Sequence, residues 1–146
     1  MSTERFKLVS AVHLFLIKDN HVLLIRRFNT GYEDGNYGVP AGHIEGNEPI
    51  ARAMAREALE EVGIVIKEDN LKVIHVMHRI SNDGRNDERV DFFLTATHWD
   101  GEAVNKEPEK CDEVNWYSLD ALPLNVIPYI TFALEKHQAG EFYSEL

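Results

Sequence analysis

The segment from Pro49 to Gly63, PIARAMAREALEEVG, restricts the possible folds more than any other part of the chain. Ala51, Ala53, Ala55, Ala58 and Leu59 favour a helix, and Pro49 suits its first turn because it has no amide hydrogen to leave unpaired. Gly63 suits the C-terminal cap, where the backbone turns left-handed. On both sides the pattern changes from helical to strand-like. LVSAVHLFLI (Leu8 to Ile17) and HVLLIRR (His21 to Arg27) precede the helix, and Leu71 to Ile80 and RVDFFLTATHW (Arg89 to Trp99) follow it. A helix set among strands has to bury its apolar stripe on a sheet, so a layered α/β (α+β) architecture is expected.

Lys18, Asp19 and Asn20 separate the first two runs and predict a β-hairpin between them. FNTGYEDGNYG, Phe28 to Gly38, reads as a loop, followed by a short strand through Val39 and a second glycine-rich loop from Gly42 to Asn47. Polar loops are also expected from Ser81 to Glu88 and from Asp100 to Asp112, with a short strand from Glu113 to Tyr117 after the latter. Ile127, Ile130, Leu134 and His137 recur at helical spacing and predict a second amphipathic helix over Val126 to Gln138. No internal repeat or linker interrupts the 146 residues, so one domain over 1–146 is expected, and 44% hydrophobic residues suffice for its core.

Fifteen Lys and Arg against twenty-five Asp and Glu give a formal net charge of −10, which argues against broad binding of long nucleic acid or an anionic membrane. Cys111 is the single cysteine, the first residues lack a signal peptide's apolar run, and no apolar stretch approaches the roughly 20 residues of a membrane span. A reducing, cytoplasmic location is the expectation.

Against that background, three more carboxylates on one helix need a reason. Residues three and four apart share a helical face, so Glu57, Glu60 and Glu61 project together and repel. Exposed, each pair costs a few tenths of a kcal/mol. Taken partly out of water, at separations of ~5 Å and an effective dielectric of ~20, each costs roughly 3 kcal/mol. The stripe is therefore either a solvated face or a cation site. Hard cations such as Mg²⁺ take oxygen ligands, commonly one or two carboxylates together with phosphate oxygens, and Arg56 is placed to hold a neighbouring carboxylate through a bidentate contact.

The whole segment GHIEGNEPIARAMAREALEEVGI resembles the Nudix box: Gly, five residues, Glu, seven residues, Arg-Glu, an aliphatic residue, any residue, Glu-Glu, any residue, Gly, aliphatic. Gly42, Glu48, Arg56, Glu57, Glu60, Glu61, Gly63 and Ile64 all fall in register, with Ala58 the one smaller residue where a larger aliphatic is commoner. NYGVPAGHIE, Asn36 to Glu45, resembles the strand and Pro-x-Gly entry of MutT-like members.

The resemblance implies a Nudix fold, a mixed β-sheet sandwiched between helices. It also implies metal-dependent hydrolysis of a nucleoside diphosphate linked to a moiety X, with Mg²⁺ (or Mn²⁺) as cofactor. Position by position, Glu57, Glu60 and Glu61 match metal-binding glutamates, Gly42 a backbone-oxygen ligand, Glu48 a supporting glutamate and Arg56 the arginine that orients carboxylates. Glu57 is the first choice for the general base and Glu60 the second. WDGEAVNKEPEKC, Trp99 to Cys111, resembles a segment that supplies a further acid in some members. Glu107 is its match there, with Glu102 and Glu109 as alternatives. Arg27 matches an arginine that contacts substrate phosphate. Relatives of this kind are often dimers, which leaves a homodimer open.

Two other functions compete: a sensor module that binds a nucleotide or sugar nucleotide without cleaving it, and an isoprenoid diphosphate isomerase. The isomerase needs a catalytic cysteine and further ligands that have no match here. His75 and His78 read as surface or packing residues, Cys111 as an idle thiol, and Trp99, Trp116, Phe92 and Phe93 as core.

Overall fold

The computed structural model describes residues 3–80 and 87–146. Most of the loop expected over Ser81 to Glu88 therefore lies outside the described residues. Strands β1 (Val9–Leu14), β5 (Ala41–His43), β6 (Leu71–Arg79), β7 (Arg89–Ala96) and β9 (Tyr143–Glu145) form one sheet, in the order β5-β1-β7-β6-β9. It is mixed: β1 runs parallel to β7 and β6 parallel to β9, while the other pairs are antiparallel. A second sheet centres on β3 (His21–Arg27), which pairs with β2 (Ile17–Lys18), β4 (Tyr37–Gly38) and β8 (Cys111–Ser118).

Side chains alternate along the strands, so the sheets have two apolar faces. Val12, Leu14, Leu23 and Leu94 pack with Ala53, Met54, Ala58 and Val62 of helix α1 (Ile50–Val62). Phe15, Val22, Leu24 and Phe93 face the other way and pack with Ile130, Ala133 and Leu134 of helix α2 (Pro128–Gln138). The sheets thus lie between two helices, as expected. Fully burying Met54 or Val62 contributes about 1.5–3 kcal/mol each. Ala58, also fully buried, gives α1 a flat contact with the strands.

The expected hairpin forms differently. β2 and β3 make it, across Asp19 and Asn20 at φ 52° and 60°, the left-handed pair that a two-residue turn requires. β1 instead joins β5 and β7, so the apolar run through Ile17 leaves one sheet and enters the other near Phe15 and Leu16. The expected loop at Gly42 begins as a strand, β5, and β8 starts at Cys111, two residues earlier than expected. Helix α1 ends at Gly63, with φ 72° and its amide donating to the Leu59 carbonyl.

Candidate functional site

Helix α1 presents its acidic face beside β5, and Arg56 organises it. The guanidinium grips Glu48 with both edges, Nε to Oε2 at 2.7 Å and Nη2 to Oε1 at 3.0 Å. Its Nη1 reaches Glu57 Oε1 at 2.8 Å and Glu60 Oε2 at 3.5 Å, and Nη2 donates to the His43 carbonyl at 3.3 Å. The bidentate contact therefore goes to Glu48, and Glu57 receives a single bond. Arg56 beside it holds the Glu48 carboxyl below its usual range. For Glu57, burial is the larger influence and raises its pKa, aided by the charges of Glu60 and Glu107 and opposed by Arg56.

Gly42 is where β5 passes the helix. A Cβ there would stand 2.1 Å from the Glu57 carboxylate, so any larger residue would displace that carboxylate from its present position. Next to it the Ala41 amide donates to Glu61 Oε2 at 2.9 Å. Burial, followed by the charges of Glu57 and Glu107, pushes the Glu61 carboxyl up to about 8. Glu107 comes from the connection before β8. Its amide donates to Asn105 Oδ1 at 3.0 Å, its carbonyl accepts from the Lys110 and Cys111 amides, and Asn105 Nδ2 donates to the Cys111 carbonyl at 2.6 Å.

Glu57, Glu60, Glu61, Glu107, Arg56 and Arg27 line one cavity of about 400 Å³. Arg26 and Arg27 diverge as strand alternation requires, and a β-bulge against β8 lies between them. Arg26 takes Asp112 through Nε at 2.7 Å and Nη2 at 3.1 Å. Arg27 turns to the cavity, its Nε donating to the Tyr32 carbonyl at 2.7 Å and its Nη2 to Thr30 Oγ1 at 3.2 Å. Asp34 ties down the loop that offers these acceptors, taking Thr30 Oγ1 at 2.6 Å and the Gly31 amide at 2.8 Å. Those bonds hold the Asp34 carboxyl below its usual range.

Arg27 and Gly42 also border a second cavity, of about 350 Å³, lined further by His13, Tyr32, Arg79 and Tyr129. Beneath it Asp91, fully buried, accepts from His13 Nε2 at 2.9 Å and lies 3.0 Å from Arg79 Nε. Burial alone would raise the Asp91 pKa, but the His13 bond and the nearby charges outweigh it and the net shift is downward. The Arg79 guanidinium lies 3.6 Å over the Tyr129 ring.

Every site residue expected from the sequence belongs to this region: six line the first cavity, Gly42 abuts Glu57, and Glu48 braces Arg56. Glu102 and Glu109 do not line it. His13, Asp91, Arg79, Asp34 and Asn105 were not foreseen. Asp91 had a signal, a lone acid in the apolar run RVDFFLTATHW, at an inward position shared with Phe93. His75 is a packing residue, fully buried and bonded to Ser144 Oγ at 2.7 Å, and Phe93 is core.

The first cavity's donor set, glutamate oxygens with a glycine cradle, fits a hard divalent cation. Among the described residues no three His, Cys, Asp or Glu side chains converge as a ready cage, because Glu57 turns to Arg56 and Glu61 to Ala41.

Comparison with known proteins gives a consistent picture. The family model of the NUDIX domain matches residues 7–136. The NAD-capped RNA hydrolase NudC of Shigella dysenteriae is 32% identical over 111 residues, 76% of this chain and 39% of that protein. NudC of Escherichia coli SMS-3-5 is 33% identical over 107 residues, 73% of this chain and 38% of that one. This chain thus spans about two-fifths of the length of these curated relatives. Among solved structures, a MutT NUDIX hydrolase from Burkholderia pseudomallei superposes with a TM-score of 0.81 at 28% identity, covering 89% of this chain and 98% of that one. No helix among the described residues is long and apolar enough to cross a membrane.

Proposed function

The chain belongs to the NUDIX domain family, and on that premise we propose that it hydrolyses the phosphoric anhydride of a nucleoside diphosphate linked to a moiety X, using Mg²⁺ or Mn²⁺. The observation that carries this reading is that Glu57, Glu60, Glu61 and Glu107 all line one cavity, with Arg27 at the border to a second. When bound, the cation neutralises diphosphate charge and acidifies a water. Glu57, Glu60 and Glu61 would hold it, with the Gly42 carbonyl as a further oxygen. Glu48 and Arg56 fix the orientation of Glu57, and Arg27 meets a phosphate with a planar, charge-assisted donor. Glu57 takes the water's proton, with Glu60 as the alternative.

The deciding experiment is release of phosphate, pyrophosphate or nucleoside monophosphate from a substrate panel, with Mg²⁺ and with Mn²⁺. The panel holds nucleoside triphosphates, oxidised nucleotides, ADP-ribose, NADH, sugar nucleotides, dinucleoside polyphosphates and a 5′-NAD-capped oligonucleotide. Metal-dependent cleavage of at least one is expected. Tight binding without cleavage would leave a non-catalytic nucleotide sensor instead. The capped oligonucleotide is included because NudC relatives carry that activity in their name, although a net charge of −10 disfavours a grip on extended RNA.

A further inference from the structure

We propose that the second cavity receives the planar ring of the substrate's nucleobase and that His13 is its specificity-determining residue, accepting a hydrogen bond at Nδ1 from a ring N–H or amino group. The inference rests on the hydrolase reading for its account of where the diphosphate lies. The claim about His13 stands on geometry of its own.

Three observations converge. The cavity shares Arg27 with the carboxylate cavity, and its Gly42 border is where β5 meets Glu57, so a ligand with its diphosphate at the glutamates places its next group here. The walls offer flat π surfaces, Tyr32, Tyr129 and the guanidinium stacked on Tyr129, which suit a planar ring.

His13 supplies the third. Its ring is fixed by stacking on Phe93, 4.7 Å between centroids, and by edge contact with Tyr129 at 5.5 Å. Asp91 is an acceptor, so Nε2 carries the proton toward it, and in the neutral ring Nδ1 is left an acceptor. That nitrogen has no hydrogen-bond partner among the described residues, nor do Arg79 Nε and Asp91 Oδ2 beside it, but of the two acceptors only Nδ1 belongs to a residue that lines the cavity, with a side chain only 3% exposed. Buried polar atoms are nearly always paired, so an orphan at a cavity wall marks the place a ligand completes. A site that spends a buried polar atom on its ligand discriminates against analogues lacking the matching group.

The test uses ATP, GTP, CTP and UTP with Mg²⁺, followed by the best of the four and its counterpart with ring N–H or amino hydrogens replaced by methyl. Both kcat/KM and calorimetric affinity are read. Wild type is expected to favour the unmethylated compound by about tenfold or more, the scale of one hydrogen bond lost with its partner left buried. His13→Gln places its amide near the old Nε2, keeps a donor for Asp91 and removes the acceptor at Nδ1, so the ratio should fall below about threefold. His13→Asn, whose amide falls near Nδ1, should retain more of the discrimination and serves if the Gln variant melts early. A ratio undiminished in His13→Gln, or no discrimination by wild type in either readout, overturns the proposal. Discrimination in binding with no cleavage of any compound would sink the hydrolase reading and leave the role of His13 intact.

Discussion

The acidic face of α1 and the cluster beneath the second cavity carry different ratios of charge. On α1 a single guanidinium, Arg56, lies within 4.0 Å of four carboxylates, those of Glu45, Glu48, Glu57 and Glu60. Under the neighbouring cavity a single carboxylate, Asp91, faces one guanidinium, Arg79, and accepts a hydrogen bond from His13. Burial raises the carboxyls of Glu57 and Glu61, while Arg56 lowers that of Glu48, and at Asp91 the His13 bond and nearby charges outweigh burial and lower it. One region is short of positive charge and fits a cation arriving with the substrate. The other pairs its carboxylate with a guanidinium supplied by the chain itself.

The largest effect should come from removing charge on the unbalanced side. Glu57→Gln or Glu61→Gln is expected to lower turnover by about 10²–10³-fold, as loss of a principal electrostatic group does elsewhere, with melting unchanged or raised in metal-free buffer. Wild-type turnover in both variants would break the contrast.

On the balanced side the prediction reverses. Asp91→Ala strands Arg79 beside Tyr129 and should cost about 3 kcal/mol in urea unfolding at neutral pH. Because the folded Asp91 pKa is depressed, its stabilisation is complete above about pH 4 and is lost as pH falls through the folded value. The gap between variant and wild type should therefore narrow in strong acid, and a gap that widens there would show the sign to be wrong.

A third measurement sharpens the comparison. Wild type in Mg²⁺ at a hundred times its dissociation constant should gain about 2.7 kcal/mol. Asp91→Ala should gain the same amount and Glu57→Gln much less. Equal gains in all three would place the metal elsewhere.

The two regions were unequally legible in sequence. The acidic stripe is local: Glu57, Glu60 and Glu61 sit within five residues, so helical spacing alone puts them together. Arg27 and Glu107 reached the list only through resemblance, since strand pairing and a loop bring them in from distant sequence. His13 and Asp91 lie 78 residues apart and meet because β1 and β7 run side by side in parallel, a pairing that no local pattern encodes. The same limit explains the hairpin. LVSAVHLFLI holds no turn residue such as Gly or Pro, yet the chain changes sheets within it, a choice set by which edges the other strands leave open. β9 spans only Tyr143 to Glu145, too short for alternation to register.

Gly42 borders the second cavity and touches, through its missing side chain, the glutamate that lines the first. The partition between the cavities is therefore peptide backbone at that point, with no rotamer to swing. In the proposed reading the span between base and scissile bond is measured against a strand, a rigid gauge. Linkers of the wrong length would be rejected for their reach, whatever their chemistry.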